Sequence, residues 1–92
     1  MIKSFKRKGL KLFFETGSKA GIDAKQSEKL AYRLSVLEDV MIIEDIDIQG
    51  FYLHKLTGDK GTLYAIRVTG NWCITFEFIE GDVYIVNYED YH

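Results

Sequence analysis

Ninety-two residues suffice for one domain, residues 1–92, and exclude two, because a core this small buries only about 60% of the surface its unfolded chain exposes. Hydrophobic residues at 47%, aromatic ones at 14% and no proline exclude global disorder, while a lone cysteine, Cys73, without a CxxC excludes a disulfide scaffold and points to the cytoplasm. The net charge of −2 hides an uneven split: residues 1–33 hold nine Lys/Arg against three Asp/Glu, and residues 34–92 hold three against eleven.

The first eight residues are basic, but Lys11 and Glu15 break the apolar run that a signal peptide needs, and no segment is long enough to span a bilayer. Ile2, Ser4 and Phe5 fit a short strand. Leu10, Phe13 and Phe14 then recur at helical spacing until Gly17. Asp23 and Gln26 read as a capping box that opens a second helix, with Leu30, Leu34, Leu37 and Met41 as its packed stripe. Lys25, Lys29 and Arg33 form a basic row that reads as solvated.

From Glu44 the period falls to two, as Ile46 and Ile48 alternate with Asp45 and Asp47, so the second half reads as a sheet. Turn residues at Gly50, 57–61, Gly70-Asn71 and 80–82 cut it into strands near 51–55, 62–69, 72–79 and 83–88, antiparallel because the connections are short. A three-residue loop, Thr69-Gly70-Asn71, sets Val68 opposite Trp72 and Ile66 opposite Ile74. Tyr64, Ile66, Val68, Trp72, Ile74, Phe76 and Phe78 then share a face for the helices to cover. Arg67 falls opposite Cys73 on the other face, with Thr75, Glu77, Tyr52 and His54. The expected architecture is α+β: a short N-terminal strand and two helices packed on one face of a twisted antiparallel sheet, the other face left open for chemistry.

No Gly-rich phosphate loop, HExxH or spaced acidic cluster occurs, so neither a metal nor a small-molecule cofactor is expected. The two histidines, His54 and His92, could meet as groups that titrate near neutrality if the last strand lies close to His54. The tail Asn87-Tyr88-Glu89-Asp90-Tyr91-His92 adds phenols and carboxylates, led in by a strong strand of Val83, Tyr84, Ile85 and Val86. A mid-strand Cys73 has nothing obvious to activate it as a nucleophile.

The opening Met1 to Phe5, Gly50-Phe51-Tyr52-Leu53-His54 with Leu56 and Gly58-Asp59, Asn71-Trp72 with Ile74-Thr75-Phe76, and the closing Asn87 to His92 together resemble the HigB-type killer toxins. These are a branch of the RelE/ParE toxin superfamily, and the likeness runs end to end. It implies a RelE-like toxin of a type II toxin–antitoxin system that enters the A site of the small (30S) ribosomal subunit and cleaves messenger RNA there. It also implies neutralisation by a helix-turn-helix, HigA-type antitoxin. His54, Asp90, Tyr91 and His92 match the family's functional positions. Thr57 stands where the family carries lysine and Cys73 where it carries arginine.

Metal-free RNA cleavage needs a base for the ribose 2′-hydroxyl, an acid for the leaving 5′-oxygen and cations for the pentavalent phosphate. The resemblance gives the proton-transfer work to His54 and His92, with Tyr91 and Asp90 assisting. Losing one preorganised donor typically costs on the order of 10²–10³ in rate, so Thr57 and Cys73 imply weakened activity. Arg67, directly across from Cys73, is a candidate replacement. Arg67, Cys73, Thr57 and Asn71 are the expected substrate contacts, and Lys6, Arg7, Lys8, Lys11, Lys25, Lys29 and Arg33 the expected contacts to RNA phosphates. The alternative is a catalytically silent relative that binds its antitoxin in operon repression, or a gyrase-directed poison like the ParE branch.

Overall fold

The computed structural model describes residues 1–56 and 63–90. Helix α1 (Lys8–Thr16) and helix α2 (Ser27–Asp39) precede four strands, β1 (His54–Lys55), β2 (Leu63–Thr69), β3 (Trp72–Ile79) and β4 (Asp82–Asp90), in an antiparallel sheet of order β1-β2-β3-β4. The opening segment lies parallel beside β4, touching it through two isolated bridges, Ile2 to Val83 and Phe5 to Val86, rather than as a continuous strand. No helix among the described residues is long and apolar enough to cross a membrane.

The helices cover one sheet face because their apolar residues recur at helical spacing. Leu10 and Phe13 of α1 and Leu30, Leu34 and Leu37 of α2 are buried against Ile66, Ile74, Phe76, Val83, Val86 and Tyr88. Each such aliphatic side chain contributes about 1.5–3 kcal/mol by leaving water. α1 ends where Gly17 turns to φ +80° and its N–H caps the Phe13 carbonyl at 2.8 Å. The chain then returns so closely that a Cβ on Gly9 would lie 2.7 Å from the Gly21 carbonyl oxygen, and one on Gly21 2.5 Å from the Gly9 Cα. Glycine at both positions is what lets the two backbones touch.

Several expectations are corrected. Asp23 caps a short 3-10 turn, Ala24–Gln26, by accepting the Lys25 N–H at 3.0 Å, so α2 itself starts at Ser27. Gln26 does not close a capping box; it turns inward, and its Oε1 accepts the buried Tyr88 hydroxyl. Met41 lies beyond the end of α2 and is 78% exposed. Residues Ile43–Ile46 form a second 3-10 turn, not a strand, because the Asp45 carboxylate accepts the N–H groups of Met41 and Ile42 at 3.0 and 3.1 Å and curls the chain. Those bonds also hold the Asp45 pKa below its ordinary value.

The strand register keeps Ile66 opposite Ile74 and Arg67 opposite Cys73 by a different route from the one expected. Gly70-Asn71 is a two-residue turn that sets Thr69, not Val68, opposite Trp72, and a bulge at Val68 absorbs the extra residue. A second irregularity sits in β4, where Ile85 takes φ +49° and the register against β3 shifts between Thr75 and Glu77. A β-branched residue is strained there. The N–H of Ile85 is satisfied by the Ser4 hydroxyl at 2.8 Å, so the opening segment supports the bulge.

Candidate active site

The uncovered face is built from cross-strand pairs. His54 is paired with Ala65 and Ala65 with Thr75, which pairs with Asn87; Arg67 is paired with Cys73, which pairs with Glu89. Directly opposed residues share a face, so these two rows run side by side over the open side of the sheet. At its β1 end Tyr52, His54, Arg67, Gly70, Asn71 and Cys73 line an open depression of about 450 Å³.

The chemistry of these groups is set by what holds them. A ring nitrogen 2.8 Å from a carbonyl oxygen must carry the proton, so His54 donates its Nδ1–H to the Tyr52 carbonyl. In its neutral form the imidazole then presents its lone pair at Nε2, the arrangement a proton acceptor needs. Tyr52 makes this contact from a left-handed backbone, φ +51°, with its ring 65% exposed. Arg67 donates Nε–H to the Gly70 carbonyl at 3.0 Å and places its guanidinium carbon 5.5 Å from the Tyr52 ring centroid. Cys73 is only 8% exposed. Burial pushes its thiol pKa up and Glu89 adds to this, while Arg67 opposes it. The thiol stays neutral at ordinary pH and supplies neither a nucleophilic thiolate nor a positive charge.

Of the expected site residues, His54, Arg67, Asn71 and Cys73 come together in this depression. Asp90 pairs with Trp72, which places it by register on the helix-covered face beside Tyr88, away from the Arg67–Cys73 row. Thr57, Tyr91 and His92 lie outside the described residues. Glu89 was not singled out from sequence. Its position on the open face, with its carboxylate accepting the Thr75 hydroxyl at 3.2 Å, follows from the β4 bulge. The signal was present in the buried triplet Val83, Val86 and Tyr88, whose spacing breaks strict alternation.

The basic residues divide in a way that charge counting missed. Lys6, Lys8, Lys11, Lys25 and Lys29 are exposed. Arg33 is instead 7% exposed, its guanidinium carbon 4.4 Å from the Phe51 ring centroid and its Nε donating to the Arg67 carbonyl at 2.6 Å. It is a packing residue, and it ties α2 to the strand that carries Arg67. Arg7 is half-buried, lying over Tyr88 at 5.0 Å and donating Nη1–H to the Tyr88 carbonyl at 2.7 Å. Neither guanidinium faces RNA phosphates as an exposed fork, because each is wholly or partly buried and has a terminal nitrogen committed to a backbone carbonyl.

Two helices on one side of a small antiparallel sheet, with an imidazole, a guanidinium and an amide gathered on the other, are consistent with the RelE-like class of small α+β toxin that the sequence resembles. The comparisons agree. A family model described as the RelE-like toxin of type II toxin–antitoxin system HigB matches residues 3–92. Endoribonuclease HigB of Proteus vulgaris is 48% identical over 92 residues, covering 100% of both chains. The chain belongs to the HigB-like family of type II toxin–antitoxin toxins, and an antitoxin is accordingly its partner.

Proposed function

We propose that this chain is a metal-independent endoribonuclease that cleaves messenger RNA in the ribosomal A site and is held in check by a helix-turn-helix, HigA-type antitoxin. The observation that carries the reading is His54: an exposed imidazole in an open depression, with Nδ1–H committed to the Tyr52 carbonyl and Nε2 left as the basic atom. The kinship to an endoribonuclease supports it.

The chemistry is a transesterification. Nε2 of His54 takes the proton of a ribose 2′-hydroxyl as that oxygen attacks the adjacent phosphorus. The bond from phosphorus to the 5′-oxygen breaks, and a proton delivered to that oxygen completes the leaving group. The products are a 2′,3′-cyclic phosphate and a 5′-hydroxyl end. Tyr91 and His92 are the proposed sources of the second proton, and Asp90 a proposed support for the chain end. Asn71 offers its side-chain amide to the substrate from the turn beside the depression. The neutral Cys73 and the uncharged Thr57 leave phosphate stabilisation weaker than two further cations would make it, so the expected rate is modest.

The test is messenger cleavage by the purified chain with and without ribosomes. Site-specific cuts that need ribosomes are expected, and His54→Ala should slow them on the order of 10²–10⁴-fold. Absence of cleavage with intact antitoxin binding would favour the silent alternative, and inhibition of gyrase the ParE-like one.

A further inference from the structure

We infer that Arg67 is the residue that grips the scissile phosphate, its guanidinium standing in the depression beside His54 as the fixed positive charge of the site. The inference rests on the ribonuclease reading and names the group that stabilises its transition state.

The in-line attack of a 2′-oxygen gathers negative charge on the phosphate's equatorial oxygens, and a cation placed there beforehand lowers the barrier. Among the residues lining the depression, Arg67 is the sole lysine or arginine. It is exposed, unlike Arg33, and its neighbours fix it. Its Nε–H is taken by the Gly70 carbonyl at 3.0 Å, and the Tyr52 ring lies 5.5 Å from its guanidinium carbon. Among the described residues no protein acceptor meets its two terminal nitrogens, which leaves the pair that a phosphate can engage in bidentate fashion. Tyr52 connects the two halves of the chemistry. Its carbonyl sets the His54 tautomer while its ring flanks Arg67, so base and cation are positioned by one residue in a strained left-handed conformation.

The cross-strand pairing supplies a control. Arg67 is directly opposite Cys73 on the same face, with Cβ atoms of such pairs roughly 4.5–5.5 Å apart, so an arginine grown from position 73 enters the same space from the neighbouring strand.

The experiment measures kcat/KM for ribosome-programmed messenger cleavage in four chains: the wild type, Arg67→Ala, Arg67→Lys, and Arg67→Ala with Cys73→Arg. Unchanged thermal unfolding confirms that each is folded. Arg67→Ala is expected to lose on the order of 10²–10³-fold, chiefly in kcat. Arg67→Lys should recover only part, because a point charge lacks the planar fork. The added arginine at position 73 should restore most of the lost activity, which a merely structural role of Arg67 would not allow. A loss below about threefold in Arg67→Ala, or a loss that the second-site arginine leaves untouched, overturns the inference while the cleaving wild type keeps the ribonuclease reading. A wild type that cleaves nothing overturns both.

Discussion

Tyr88 shows how one hydroxyl can hold several parts of this molecule at once. Its ring stacks on Trp72 at 4.4 Å, its hydroxyl donates to Gln26 at the entrance to α2, and its carbonyl receives Arg7. Burial, with smaller effects from Asp23 and Asp90, pushes its pKa up to about 12 from an ordinary value of 10.0, against an opposing effect of Arg7. A folded-state pKa above the unfolded one means the folded chain holds the proton more tightly. The resulting stability is complete below pH 10 and is lost as pH rises towards 12. Alkaline unfolding in that window, with tyrosinate absorbance appearing as the chain opens, is the expected outcome. Tyr88→Phe should abolish this pH dependence and cost about 1–3 kcal/mol in chemical denaturation, because the Gln26 carbonyl is left buried without its donor.

The same residue scale separates what sequence could reveal from what it could not. Alternation placed His54 on the uncovered side and, joined to an expected three-residue loop, Arg67 opposite Cys73; the pairing holds although the turn has two residues, because the bulge at Val68 makes up the difference. The fates of Arg7 and Arg33 were not legible. Whether a long cationic side chain lies in water or over an aromatic ring depends on residues far along the chain, Tyr88 and Phe51, brought there by the fold.

At the scale of elements, the two irregularities of the sheet decide which side chains reach the open face. The bulge at Val68 reconciles a tight Gly70-Asn71 turn with the Arg67–Cys73 pairing, and the one at Ile85 turns Glu89 toward that row and Asp90 away from it. Bulges are hard to read from one sequence because a local pattern fits either the shifted or the unshifted register. The two-residue period read from Glu44 failed as a sign of sheet there for a related reason. Ile46 is buried beside exposed Asp45 and Asp47 in a 3-10 turn as readily as in a strand, and the deciding contact is the Asp45 carboxylate on two backbone N–H groups. The contact of Gly9 with Gly21 gives the element-scale prediction. Gly9→Ala or Gly21→Ala forces backbone apart from backbone and should destabilise the chain by about 1–3 kcal/mol, whereas an exposed alanine substitution such as Lys8→Ala should fall within about 0.5 kcal/mol. Paired thermal melts check this.

Taken whole, the molecule separates its charges: most exposed lysines lie between the opening segment and the start of α2, with Lys55 on β1 an exception, and most carboxylates belong to the remainder. A surface of this kind binds RNA through phosphate contacts that release counterions. Ribosome association should therefore weaken steeply between low and physiological salt, with Lys8→Gln plus Lys11→Gln flattening the log–log slope by roughly two. Equilibrium sedimentation with ribosomes at several salt concentrations measures it. The carboxylate-rich part is not simply idle surface, since Glu38 accepts the Ile2 N–H at 2.8 Å and Asp82 lies 3.6 Å from the terminal ammonium. The fold itself was largely legible, because Leu30, Leu34 and Leu37 and the β2–β3 alternation each identify one face of one element.

The most direct measurement is the rate and end chemistry of message cut on ribosomes in the presence of a metal chelator that leaves those ribosomes intact, for the wild type and His54→Ala side by side. The expected result is cleavage that persists with the chelator, leaves 5′-hydroxyl ends with cyclic phosphates, and falls at least about 100-fold without the imidazole. Ends bearing a 5′-phosphate, or equal rates from the two chains, would contradict it.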